Sequence, residues 1–147
     1  GYLDSNGNNL SQPYVIVSNV PYKDYSVVLY VDGDVTAGPL GEYWLEALDG
    51  TRLTPGVFAY DRYNFAGRFD MVGMDSIVGG EATEGNYIVF EDLSTSEFRI
   101  RASQVSGTRA PINAFQIVEN VPEPATLGLL SLAACGLGRY IRRRRKA

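Results

Sequence analysis

Apolar positions along most of the chain come in short runs, and clusters of turn residues interrupt them repeatedly. The interruptions are Asp4-Ser5-Asn6-Gly7-Asn8-Asn9, Asn19-Val20-Pro21, Asp32-Gly33-Asp34, Gly38-Pro39, Asp49-Gly50, Thr54-Pro55-Gly56, Gly79-Gly80, Glu84-Gly85-Asn86 and Ser106-Gly107. Gly, Asn, Asp and Pro supply the backbone angles that reverse a chain. Between them lie the β-branched and aromatic residues that suit a pleated, half-buried surface. This pattern predicts strands over Tyr14–Val20, Tyr25–Val31, Glu42–Leu48, Val57–Tyr60, Tyr87–Phe90, Glu97–Ala102 and Ile112–Glu119. Before residue 121 no segment keeps an apolar stripe at helical spacing beyond about ten residues, so the body is expected to be all-β.

Glu97–Ala102 carries the clearest period of two, with Phe98 and Ile100 on one face and Arg99 and Arg101 on the other, so this strand has a wet side. Tyr25–Val31 and Tyr87–Phe90 are apolar at successive positions, which predicts cover on both faces, as for central strands of two stacked sheets. Seven short strands with regular turns fit an antiparallel β-sandwich of jelly-roll type over residues 1–120. Residues 62–80 are compatible with either a short strand or a helical turn in a long loop.

After Pro122-Glu123-Pro124, which ends strand pairing, the pattern changes. Residues 125–138 are uncharged and include Ala125, Leu127, Leu129, Leu130, Leu132 and Leu137; Arg139, Arg142, Arg143, Arg144, Arg145 and Lys146 follow. As a helix the uncharged run spans about 21 Å, short of a hydrocarbon core of about 30 Å. Continued through Ile141, with Arg139 snorkelling, it reaches about 25 Å, which a thinned bilayer accepts. Cationic residues flanking an apolar helix stay on the cytoplasmic side, so one C-terminal transmembrane helix is predicted, with the body outside. Cys135, inside the run, reads as a packing residue.

Charge follows the same division. The 147-residue chain has 17 acidic and 13 basic residues; six of the basic ones lie in 125–147 with no acid, which leaves 17 acids against seven bases, or −10, before them. A body this acidic repels phosphate backbones, so no nucleic-acid partner is expected. Without histidine there is no Ser-His-Asp or Cys-His catalysis, and one cysteine forms neither an internal disulfide nor a cysteine-rich zinc site. The chain opens Gly1-Tyr2-Leu3-Asp4 with no Met and no signal-peptide pattern, which reads as a fragment of an exported protein.

Val121-Pro122-Glu123-Pro124-Ala125-Thr126, the short apolar run with Gly128 and Gly136, and the arginine cluster together resemble the PEP-CTERM sorting signal of exported proteins in Gram-negative bacteria. The resemblance covers residues 121–147 and implies recognition by exosortase, a membrane processing enzyme acting near Pro122, Glu123 and Pro124. It further implies anchoring in the inner membrane before processing. Release or attachment at the cell surface would follow, often in bacteria that make exopolysaccharide. Gly85–Phe90, Phe98–Ile100 and Arg109–Val118 are similar to closing strands of galactose-binding-like jelly rolls that precede this signal. By that similarity the body is N-terminally incomplete.

Within the body, Asp32 and Asp34 flank a glycine and offer hard oxygen ligands for a structural calcium ion, or simply form a β-turn. Asp4–Asn8 resembles the opening of a calcium loop, but Asn9 and Val15 stand where its glycine and bidentate glutamate belong. Tyr43, Trp44, Tyr60 and Tyr63 could stack on sugar rings, making a carbohydrate-binding module the alternative function; their other role is core and rim packing. Glu42 and Glu46 share a strand face, the minimum for glycosidase chemistry, yet an acidic surface supplies such pairs by chance. The expectation is therefore a non-enzymatic exported surface or matrix protein with no cofactor beyond that calcium ion.

Overall fold

The computed structural model describes residues 3, 12–32, 40–60, 69–72, 83–106 and 109–121. They form eight strands: β1 Tyr14–Val17, β2 Tyr25–Tyr30, β3 Leu40–Glu46, β4 Val57–Tyr60, β5 Thr83–Glu84, β6 Tyr87–Leu93, β7 Phe98–Ser106 and β8 Ala114–Glu119. One sheet has the order β1-β7-β3-β4-β5, the other β6-β2-β8. Pairing is antiparallel except between β4 and β5, where Ala59 lies beside Thr83 in parallel register. β1, β2 and β3 alternate between the sheets, as do β6, β7 and β8, the connectivity of two layers enclosing one core.

Period-two patterning selects the core. Tyr25, Val27, Leu29, Ile88 and Phe90 of the three-stranded sheet meet Tyr43, Leu45, Val57, Phe98 and Ile100 of the five-stranded sheet in one buried cluster. The Tyr25 and Phe98 rings stack across the layers with centroids 6.2 Å apart. The Tyr25 hydroxyl donates to the Thr95 carbonyl at 2.7 Å, and burial raises its pKa.

All seven expected strands are present, β4 with the expected ends and the other six with altered ones. β1 stops at Val17 because Asn19 adopts a left-handed φ of 59° two residues before Pro21. β6 runs on to Leu93 past Asp92, also left-handed at 57°, and the β2 register shifts between Tyr25 and Val27. β3 starts earlier, at Leu40; β7 ends later, at Ser106; β8 begins only at Ala114. The two-residue β5 carries no apolar run that would have announced it.

The expectation of two fully covered faces for β2 and β6 is corrected. β2 alternates buried and half-buried, so Val28 and Tyr30 lie on an outer face that is only partly covered. Phe69 packs edge-on to Tyr30 at 5.2 Å and to Tyr87 at 6.5 Å and supplies part of that cover. Within the undecided stretch 62–80, residues 69–72 run beside β6, with Met71 bridging Tyr87 in parallel and the Val72 amide donating to the Tyr87 carbonyl at 2.8 Å. The rest of that stretch lies outside the described residues.

Gly85 makes this approach possible. A Cβ there would stand 2.7 Å from the Val72 backbone nitrogen and 2.9 Å from the Met71 carbonyl carbon, contacts with backbone that no rotamer change relieves. Gly85→Ala is expected to cost roughly 1–3 kcal/mol in urea unfolding, the range for an overpacked site. A loss below the error of that measurement would show that residues 69–72 yield freely.

Candidate functional site

The outer face of the five-stranded sheet holds the densest chemistry of the body. On β3 the residues facing out are Glu42, Trp44 and Glu46, and on β7 they are Arg99, Arg101 and Ser103. Register sets Trp44 opposite Arg101 and Glu46 opposite Arg99, while β1 sets Tyr14 opposite Arg101 and Ile16 opposite Arg99. Two rows result, Tyr14–Arg101–Trp44 and Ile16–Arg99–Glu46. Cross-strand neighbours on one face are close enough to interact directly.

Among the described residues Glu46 is the one buried charged side chain, 7% exposed. Its Oε2 accepts from the Trp44 indole N–H at 3.1 Å, and its Oε1 lies 3.5 Å from both Arg99 Nη1 and Arg101 Nε. The Arg101 guanidinium sits 5.7 Å from the Tyr14 ring and 5.8 Å from the Trp44 ring, and Arg99 lies 5.9 Å from Tyr14. These are cation–π distances. Arg101 also donates to the Gln12 side-chain carbonyl at 2.6 Å.

The connection from β3 to β4 folds back over this face. Ala47 and Gly50 close a turn in which Gly50 takes a φ of +91°, and the Leu53 amide donates to the Leu45 carbonyl at 2.9 Å. That return carries Arg52 to 4.3 Å above the Trp44 ring and 2.8 Å from Glu42 Oε1. Glycine at 56 leaves room for the Glu42 carboxylate, which a Cβ would strike. In the same turn the Asp49 carboxylate accepts from the Thr51 amide at 2.9 Å, and Thr51's backbone and side-chain hydrogen bonds hold its pKa below the usual range, with Arg99 a minor contributor.

This arrangement corrects the aromatic platform expected from the sequence. Tyr43 and Trp44 are adjacent on a strand and so point to opposite faces: Tyr43 is in the core at 2% exposure, and Trp44 is covered by arginines at 5%. Neither offers an open ring to a sugar. Tyr60 ends β4 half-buried, and Tyr63 lies outside the described residues. Glu42 and Glu46 do share a face, but each is engaged by arginine, and Glu46 is buried rather than a surface acid. Asp32 follows β2 half-buried, whereas Asp34, its expected partner in calcium binding, lies outside the described residues, as do residues 4–8. Sequence reasoning had assigned Arg99 and Arg101 a plain wet face and gave Tyr14 and Arg52 no role. The available signal was the i, i+2 spacing of aromatic and charged residues on three segments; the register that unites them is not written locally.

The residues of the tail, Pro122, Glu123, Pro124, Ala125, Leu127, Leu129, Leu130, Leu132, Leu137, Arg139, Arg142, Arg143, Arg144, Arg145 and Lys146, lie outside the described residues. The expected transmembrane helix falls there too; among the described residues no helix is long and apolar enough to cross a membrane. The described chain ends in an ordered clasp. The Asn120 amide donates to the Asp24 carbonyl at 3.0 Å, its side-chain amide donates to the Asp24 carboxylate at 2.7 Å, and its side-chain oxygen accepts from Ser26 at 3.0 Å.

A family model, the PEP-CTERM protein-sorting motif, matches residues 120–146. Comparison with curated proteins and with solved structures finds no match. The match agrees with the tail's own pattern, and it implies export, membrane anchoring before processing, and processing by exosortase.

Proposed function

We propose that this chain is an exported cell-surface or extracellular-matrix protein with a non-enzymatic β-sandwich body, whose C-terminal signal is removed by exosortase. The observation that carries the reading is the position of the sorting motif, which starts at residue 120 immediately after β8 ends at Glu119. The body completes its last strand and its Asn120 clasp before the signal's Pro-Glu-Pro segment begins, so cleavage beyond Pro124 leaves the packed layers whole. Sequence polarity supports the same route: six cationic residues follow the apolar run and hold that end inside, while a body of net −10 crosses. The alternation of strands between two sheets supports the jelly-roll, galactose-binding-like reading of the body. Its outward glutamates are engaged by arginine, which favours a structural role over acid–base chemistry.

The mass of the mature C-terminus in cells with and without exosortase tests this directly. Residues 125–147 should be missing from the mature protein in the first case and present in the second, and Pro122→Ala with Glu123→Ala should reproduce the unprocessed form. Retention of the whole tail in both strains would overturn the reading.

A further inference from the structure

The arginine pair on β7 has more donor capacity than its surroundings use. One carboxylate oxygen, Glu46 Oε1, serves two guanidiniums, each at 3.5 Å, well beyond the roughly 2.7–2.9 Å of a strong charge-assisted hydrogen bond. The Nε atoms of Arg99 and Arg101 make no hydrogen bond, that of Arg101 having only its ion-pair contact with Glu46, and both are buried out of a ligand's reach. Each guanidinium has five N–H donors and no acceptor; Arg99 bonds Glu46 through Nη1 alone and its side chain is 29% exposed, so its remaining Nη donors can meet another anion. Beside them, Tyr14 is 53% exposed and Ile16 52%, both on β1, which among the described residues pairs only with β7. Gln12 and Ser103 add a polar fringe, hydrogen-bonded to each other at 3.4 Å.

We propose that the ledge formed by Tyr14, Arg99 and Arg101 binds a carboxylate-bearing sugar polymer. The apolar side of a pyranose ring packs on Tyr14, and its carboxylate accepts from the donors of Arg99 that Glu46 leaves uncommitted. A neutral sugar offers the guanidiniums only uncharged hydroxyl acceptors, roughly half as strong as a carboxylate, and a polyanion without rings has no face to pack on the exposed tyrosine. The body, at −10 before the tail, repels polyanions at long range, whereas the six cationic residues of the tail attract them, so what reports this local geometry is the part of the retention that Tyr14→Ala and Arg99→Gln remove with the tail unchanged. The inference stands apart from the processing reading, because it concerns the purified chain alone.

The test is affinity electrophoresis of the full chain in neutral detergent micelles, through gels containing polygalacturonate, its carboxyl-reduced neutral form, or polyglutamate. Polygalacturonate should retard the protein more than polyglutamate, which the cationic tail attracts as well, and more than the neutral polymer. Arg99→Gln should weaken that binding about tenfold, the loss of one charged hydrogen bond, and Tyr14→Ala should weaken it several-fold. Tyr14 is half exposed on an edge strand, so its variant keeps the fold and decides the matter if Arg99→Gln proves unstable. Equal retardation by the neutral polymer or by polyglutamate, absence of retardation by polygalacturonate, or undiminished binding in Tyr14→Ala would each overturn the proposal.

Discussion

Phe98→Ala is expected to lower the unfolding free energy by about 3–5 kcal/mol, the cost of truncating a fully buried phenylalanine. Phe98 is 0% exposed and opens β7, which pairs with both β1 and β3 and so joins three strands of the five-stranded sheet. Its ring also stacks on Tyr25 of the opposite layer. Truncation therefore opens a void between the sheets at the point where they are in aromatic contact, and strands held by ladder hydrogen bonds collapse into it only in part. Against a total of about 5–15 kcal/mol for a typical domain, this loss brings the body close to unfolding at ambient temperature. Urea titration followed by the single tryptophan, Trp44, measures it. A decrease under about 1 kcal/mol would mean that the layers repack around the gap, contrary to the close packing described.

Glu46→Ala should cost roughly 2–3 kcal/mol, somewhat below the 3–5 kcal/mol for breaking a fully buried pair, because Arg99 and Arg101 keep partial access to water. Their side chains are 29% and 21% exposed. The removed carboxylate is the shared counter-charge of both guanidiniums and the acceptor of the Trp44 indole N–H, so two hydrogen bonds and the Arg101 ion pair are lost at once. Glu42→Ala on the same face should cost well under 1 kcal/mol, since its partner Arg52 is half exposed. The contrast is the measurement: equal losses in the two variants would show that burial does not set the value of these pairs.

Strand positions were legible because alternation and turn chemistry are local. Phe98 and Ile100 against Arg99 and Arg101 could be read from six residues, and the structure keeps that division. Both faces of Tyr25–Val31 looked apolar, yet a tyrosine or valine does not specify how much protein will cover it; that depends on Phe69, about 40 residues away in sequence. The aromatic platform failed for a simpler reason. Tyr43 and Trp44 are sequence neighbours, and on a strand neighbours cannot share a face. The arginine–aromatic ledge needed the pairing of Trp44 with Arg101 and of Tyr14 with Arg101, long-range facts that composition and spacing leave open. The sorting signal was readable because its parts are contiguous, and no tertiary contact is required to identify it.

The Asn120 clasp gives the anchored precursor a very short leash. Five peptide units separate Asn120 from Ala125, and a fully stretched chain of that length reaches no more than about 18 Å. A protease working on that stretch must operate nearly in contact with the end of β8 and the residues around Asp24. Bulk added at this pole of the body would hinder cutting, whereas the same bulk at the opposite pole would leave it untouched.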